Sequence, residues 1–249
     1  LMPAIIPFPR AALQAALRFA VNNPVRPLWN VICFKVRADR MDIIATDQFA
    51  LSTHAAAKPG GIPEGEYLLP AKAVQALLLD KRSETLIIAA GKKYVSLSTP
   101  NLNIVTRTVN GSYYAVDQVT PKRLLWVSRL DTKECRKALK DLDDDRFVQI
   151  ATTKNGFDLT AKYPAEYLEK TVFVEAVTKP GGRAPSQNLM LVMPADPKGR
   201  SDLFLGHRYL EQVASSVSGP HIYMGFPGDF GDLRPVMFLG ESLTGGGQA

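Results

Sequence analysis

Hydrophobic and polar positions follow two rhythms along this chain, one helical and one strand-like, and their succession occurs twice. Residues 9–18, PRAALQAALR, set Leu13 and Leu17 one turn apart among alanines, with Arg10, Gln14 and Arg18 on a different arc. That spacing predicts an amphipathic helix. Residues 131–140, DTKECRKALK, repeat it with Cys135 and Leu139 in the corresponding places. A strand-like run follows each, RMDIIA at 40–45 and GFDLTA at 156–161, and then a turn signal, AKPGG ending at Gly61 and TKPGG ending at Gly182. YLLPAKAVQALL, 67–78, and LFLGHRYLEQVA, 203–214, each read as a strand, a short break and a second amphipathic helix. Apolar strands close both series: TLIIAA with YVSLST, and HIYMGF with PVMFLG.

Self-similarity at this scale predicts a duplicated α+β fold, two similar domains each with two helices against antiparallel sheets. The domains are placed at 1–118 and 119–249, joined by the turn-rich linker GSYYAVDQVTPKR, 111–123. The repeat then stretches. Gly61 and Gly182 stand 121 residues apart, whereas Tyr67 and Leu203 stand 136 apart, which places an insertion near 183–201. Within it NLMLVMP reads as a buried strand. NLNIVTR, 101–107, has no counterpart after Leu239, where the sequence passes into a tail, 242–249. Leu189 to Met193 is therefore expected to fill the vacated edge, since an unpaired edge leaves backbone donors and acceptors open. A surface excursion is the alternative use of an insertion.

Charge adds a direction to this scaffold. On a helix, Lys133, Arg136, Lys137 and Lys140 fall within an arc of about 100°, opposite Cys135, Ala138, Leu139 and Leu142. Such a stripe is either a solvated face, the common case, or a surface turned to phosphates. Thirty basic residues against 24 acidic ones, a net charge of +6, favour a polyanionic partner. A composition 46% hydrophobic and 22% charged excludes a disordered chain, and no apolar run approaches the length of a membrane span.

Candidate chemistry is sparse. Cys33 and Cys135 lie far apart without a CxxC and read as buried thiols. His54, His207 and His221 lack metal-ligand spacing, and DLDDDR, 141–146, lacks the glycine and distant glutamate of a calcium loop. KPGG and GKKY lack the phosphate-loop pattern and read as hairpin turns. No enzyme, metal or cofactor is expected.

Taken in order, these residues resemble the bacterial DNA polymerase III beta subunit, the beta sliding clamp. Residues 30–45 followed by ATDQFALS, 45–52, resemble the strand pair of that family's middle domain with its ATDGHRLA segment, with Gln48, Phe49 and Ala50 standing where Gly-His-Arg would be. VNGSYYAVDQVTP resembles the linker VDGRFPDYRRVLP. GFDLTAKYPAEYLEKTVFVEA is similar to the third domain's first hairpin, and DLRPVMFLG to its penultimate strand. LMLVMPA, 189–195, is similar to the family's closing strand YVVMPMRL but stands upstream of its usual place. Nearly the whole chain is matched, yet only to two of the family's three domains.

This resemblance implies the DNA-clamp fold and a ring of six similar domains with helices turned to the DNA. A two-domain chain would then form a homotrimer. It implies DNA-binding roles for Arg10, Arg18, Arg26, Lys72, Lys133, Arg136, Lys137, Lys140 and Arg208. A pocket for partner peptides would comprise Thr46, Leu51, Tyr114 and Val119, with Val192 and Pro194 or Val236 and Phe238 as its further wall. The implied function is that of a processivity factor that encircles duplex DNA without reading its sequence and tethers a replicative polymerase. Polymerase and clamp loader would dock through short peptides, in the cytoplasm of a bacterial or phage-infected cell. The alternative is a clamp-like accessory or regulatory module that forms no ring.

Overall fold

Alternation and helical spacing become strands and helices in the computed structural model, which describes residues 3–20, 26–91, 93–142, 147–152, 155–162, 170–185, 188–194, 203–227 and 235–240. The chain divides into two units, Leu1–Ala115 and Val116–Ala249.

In the first unit, β1 (Ala4–Pro7) leads into α1 (Arg10–Phe19). Alanine and leucine make α1 an inexpensive helix, and Leu13, Ala15, Ala16 and Phe19 are its buried residues, with Leu17 only half-buried. A 3-10 turn, Pro27–Asn30, precedes the strands β2 (Val31–Val36), β3 (Arg40–Thr46), β4 (Ala50–Ala57) and β5 (Gly65–Pro70). Then come α2 (Ala71–Leu77), β6 (Thr85–Ala90), β7 (Tyr94–Thr99) and β8 (Leu102–Arg107). The strands pair antiparallel in two orders, β1-β6-β7-β8 and β4-β3-β2-β5. Helix α1 packs against β3 and β4 and touches α2.

The second unit opens with a single helical turn, α3 (Val116–Val119), then β9 (Trp126–Asp131) and α4 (Thr132–Asp141). After these come β10 (Phe147–Thr152), β11 (Gly156–Lys162), β12 (Lys170–Pro180), β13 (Leu189–Val192) and β14 (Leu203–Gly206). Helix α5 (His207–Ser216), β15 (His221–Phe226) and β16 (Val236–Gly240) complete it. Its strand order is β14-β10-β11-β12-β9-β15-β16-β13. The long β12 serves twice, pairing with β11 through residues up to Glu175 and with β9 from Ala176 onward.

Strand for strand, β12-β11-β10-β14 repeats β4-β3-β2-β5, and β9-β15-β16-β13 repeats β1-β6-β7-β8. The apolar run inside the insertion thus stands beside β16 as β8 stands beside β7, although it precedes β16 in the chain. Leu189 pairs with Leu239 and Val192 with Val236, and all four residues of β13 are buried. The tail 242–249, much of the insertion and residues 143–146 of DLDDDR lie outside the described residues.

Helix α4 is started by Asp131, whose Oδ1 accepts from the backbone N–H of Lys133 at 2.8 Å and of Glu134 at 2.9 Å. These bonds satisfy two otherwise orphaned donors. They also hold the Asp131 carboxyl below its ordinary pKa, the bond from Glu134 contributing most. At the far end His207 Nε2 lies 2.9 Å from the carbonyl oxygen of Leu139, joining the start of α5 to α4 within the core.

Replacing Asp131 with alanine is expected to lower the unfolding free energy by about 1 kcal/mol, read from the urea midpoint near pH 7. Because the folded pKa is depressed, the stabilisation that depends on the charged carboxylate is present above the unfolded value near 4 and is lost as pH falls through the folded one. Asp131→Asn should therefore keep part of the cap and lose that acid dependence.

Candidate nucleic-acid interface

Helix faces decide which cations are available. On α4 the apolar side, Cys135, Ala138 and Leu139, is buried, so Lys133, Arg136, Lys137 and Lys140 emerge together on the exposed side. Lys72 on α2, Arg208 on α5 and Arg18 on α1 are exposed as well, whereas Arg10 is half-buried. Among the described residues, the ammonium groups of Lys72, Lys133, Lys137 and Lys140 make no hydrogen bond or ion pair. Lys140 also sits in the last turn of α4, where a cation complements the helix dipole.

Two of the candidate arginines, one on α4 and one on α1, are committed elsewhere. Arg136 donates from Nε to the carbonyl oxygen of Ala214 at 3.0 Å and from Nη2 to that of Val217 at 2.7 Å. These carbonyls lie where α5 ends and lacks internal partners. Arg10 does the equivalent work in the first unit. Its Nη2 donates to the carbonyl oxygens of Asp80 at 2.7 Å and Ser83 at 3.2 Å, just past α2, while its guanidinium rests 4.4 Å from the Phe8 ring centre. In both units an arginine of the first helix braces the chain leaving the second. Arg26 lies off the helices, over the Trp29 ring at 4.5 Å, and donates to Gln48 Oε1 at 2.7 Å. Arg208 is stacked over Tyr209 at 5.2 Å.

The residues expected to form a pocket for partner peptides are divided between the units and are described in each separately. In the first, Thr46 is buried in the β3–β4 turn, where its hydroxyl donates to the carbonyl oxygen of Ala50 at 2.7 Å and accepts from Gln48 N–H at 3.0 Å. Asp47 Oδ1 accepts from Phe49 and Ala50 N–H, and Gln48 takes φ +83°, the left-handed conformation that glycine adopts at least cost. Leu51 is buried next to this turn, and the Tyr114 hydroxyl accepts from Trp29 Nε1 at 2.7 Å.

In the second unit Val119 lines an open groove of about 610 Å³ with Leu125, Met193 and three prolines, Pro121, Pro227 and Pro235. Lys122 and Arg123 are the charged residues of its wall. Val192, Val236 and Phe238 are buried between strands, and Pro194 is half-buried. Met193, 37% exposed, is the residue of that segment which reaches the groove. Sequence reasoning passed over Met193 and Leu125. The available signal was the end of a continuous apolar run, where the first residue past the strand turns outward.

The described residues contain no group of three or more His, Cys, Asp or Glu side chains placed to hold a metal. Burial lowers the pKa of His54 to about 4 and raises that of Cys135 to about 12, with Cys33 pushed up further. Thiols so placed stay protonated and unreactive.

No family model matches the sequence, and no curated protein matches it. Its fold does have solved counterparts. Over 98% of this chain it superposes on the beta subunit from the DNA polymerase of Streptococcus pyogenes, with a TM-score of 0.77 at 13% identity. Over 96% it superposes on the DNA polymerase III beta subunit of Thermotoga maritima, with a TM-score of 0.74 at 17% identity, and on the DNA polymerase sliding clamp of Bacillus subtilis, 0.74 at 16%. The chain spans 63–65% of the length of these three structures. Its fold is therefore the sliding-clamp fold, mixed helix and antiparallel sheet.

Replacing Arg136 with methionine should lower the unfolding free energy by about 1–3 kcal/mol, because two buried-end carbonyls lose a charged donor. Lys137→Met on the same face should change it by less than about 0.5 kcal/mol. Paired urea titrations separate the two, and equal effects would remove the bracing role.

Proposed function

We propose that this chain is a sliding clamp, a processivity factor whose copies close around duplex DNA and tether a replicative polymerase. The observation that carries the reading is the set of unpaired lysines, Lys72 on α2 and Lys133, Lys137 and Lys140 on α4, on exposed helix faces of a clamp fold. Arg18 and Arg208, each with a partner of its own, add exposed positive charge to the helix faces, Arg10 and Arg136 act mainly by holding the helices in place, and Arg26 approaches DNA only from a loop.

A ring works by topology and needs attraction without sequence preference. Ammonium groups on flexible stems provide that, since phosphates repeat identically whatever the bases. With two units per chain, three copies supply the six of a closed ring, so the assembly is a homotrimer. The groove at Val119, Leu125 and Met193 receives a short segment of polymerase or loader, by the general mode in which apolar anchors enter a preformed cleft. On this reading the protein binds and does no chemistry, needs no cofactor, and works in the cytoplasm beside replicating DNA.

The second reading, a clamp-like accessory module that does not encircle DNA, draws on Arg10 and Arg136, whose engagement leaves a thinner cationic face than the sequence suggests. Sedimentation at several concentrations separates the readings. A species near three times 27.3 kDa supports the ring, and a concentration-independent monomer supports the module.

If the ring threads DNA, protein assembled on a nicked circle should be retained until the circle is cut, and then slide off the ends. Changing Lys72, Lys133, Lys137 and Lys140 to alanine should flatten the salt dependence of duplex binding, by about 0.9 in the log–log slope for each phosphate left without its cation. Oligomeric mass should be unchanged. A slope equal to that of the parent protein would take these lysines off the DNA-facing surface.

A further inference from the structure

Beyond the groove, the outward face of the second unit carries a feature that the ring does not use. In an extended strand alternate residues share a face. Along β9 and its lead-in, Arg129, Val127, Leu125 and Arg123 alternate with the buried or half-buried Leu130, Ser128, Trp126 and Leu124. Along β12 and its continuation the same face holds Val177, Lys179, Gly181 and Arg183.

The strands are antiparallel and the rungs are defined. Arg129 pairs with Val177 and Val127 with Lys179, Gly181 N–H donates to the Leu125 carbonyl at 2.7 Å, and Arg123 bridges Arg183. A side chain at Gly181 would come within 2.3 Å of the Leu124 carbonyl oxygen, so only glycine keeps the two lead-ins this close. Tyr223, beside Arg129 on β15, edges the strip.

The result is a band roughly 20 Å long at strand rise, with an aliphatic floor and four exposed cations. No acidic residue occurs within 123–129 or 177–183. Arg123, Arg129, Lys179 and Arg183 have no side-chain hydrogen bond or ion pair among the described residues. Arg123 and Arg183 face each other across a rung, and like charges so placed destabilise the pair unless an anion lies between them. Arg123 and Leu125 also line the groove, so band and groove are continuous.

We infer that the band binds an extended acidic segment of a partner protein, in which carboxylates and aliphatic side chains share the face turned to the band, running on from the apolar anchors seated in the groove. The inference rests on the proposed reading of that groove as a peptide dock. Periodicity favours a peptide: an extended chain laid along the band presents every second side chain to it, about 6.6 Å apart, the spacing at which the band's own cations and aliphatic residues follow one another along each strand. Single-stranded nucleic acid is disfavoured, because base stacking calls for a run of aromatic platforms and the floor offers valine, leucine and one tyrosine.

Fluorescence anisotropy at low salt tests this with three labelled probes: a peptide with aspartate and leucine in turn at every second position, serine between them and phenylalanine at its end, its twin with lysine for aspartate, and oligothymidine of matched length. The acidic peptide should bind and the other two should not. Arg129→Glu with Lys179→Glu should weaken it at least about tenfold, with the folded circular-dichroism spectrum retained. Arg183→Gln should weaken binding yet raise the thermal midpoint of the free protein, a pair of opposite effects that a purely structural arginine would not give.

Equal binding of the lysine twin, or charge-sensitive binding of oligothymidine alone, overturns the inference. So does failure of every probe to bind. Loss of binding in Val119→Asp with Met193→Asp, but not in the charge-reversed protein, keeps the groove and removes the band. Retention on nicked circular DNA, measured on the charge-reversed protein, judges the clamp reading independently of these outcomes.

Discussion

Burial of one apolar face of each helix against strands is the constraint from which the charged surface follows. Leu13, Ala16 and Phe19 on α1, and Cys135, Ala138 and Leu139 on α4, leave the core no room for a longer polar side chain. The small residues among them, Ala16, Cys135 and Ala138, let each helix lie close to its strands, and burial of the larger Leu13, Phe19 and Leu139 fixes its rotation about its axis. Once that rotation is set, the cations of α4 have one side on which to emerge. The lysine stripe is thus a product of packing first and of electrostatics second.

Bracing by arginine then divides what packing has exposed. A guanidinium can reach carbonyls at a helix end several residues away and satisfy two of them with a planar fork, which a lysine cannot do. Arg10 and Arg136 are spent in this way, at different positions of their helices but at the same structural place. Each unit thereby ties its two helices together at one end by charged hydrogen bonds, and the lysines stand on the solvent side with Arg18 and Arg208. The bracing arginine on the first helix is the clearest chemical regularity shared by two units whose sequences otherwise differ.

Most of this architecture was legible in the sequence, because helix and strand periodicities are imposed by burial and the duplication presented each twice. The strand at Leu189 to Val192 was legible for a related reason: four consecutive apolar residues inside an insertion need cover on both faces, and a sheet lacking its last strand offers it. Side-chain destinations were less legible. A helical wheel sets Arg136 among lysines, and only the position of the end of α5 shows that its guanidinium has closer partners. Val192, Val236 and Phe238 suited a pocket wall by type, yet they pair within the sheet and Met193 is what emerges. The outward cationic band escaped notice because its members alternate with apolar residues on two strands far apart in sequence, so no local run of charge marks it. Gln48 stands where the resembling segment has glycine, but its left-handed conformation and the Thr46 and Asp47 bonds that hold the turn were not read from the sequence.

The origin of the last strand in each unit has a bearing on how the two units assemble. In the first, β8 joins β7 through a tight hairpin, Thr99 opposite Leu102, so the sheet edge closes by local zipping. In the second, Leu189 must find Leu239, 50 residues later, and β14, α5, β15 and β16 must be made before β13 has a partner. Closing that longer loop costs more chain entropy, and topologies rich in such distant pairings fold more slowly. The two halves of a duplicated chain therefore differ in how this edge closes: in the first β8 can pair as soon as it follows β7, while in the second an apolar strand waits for β16.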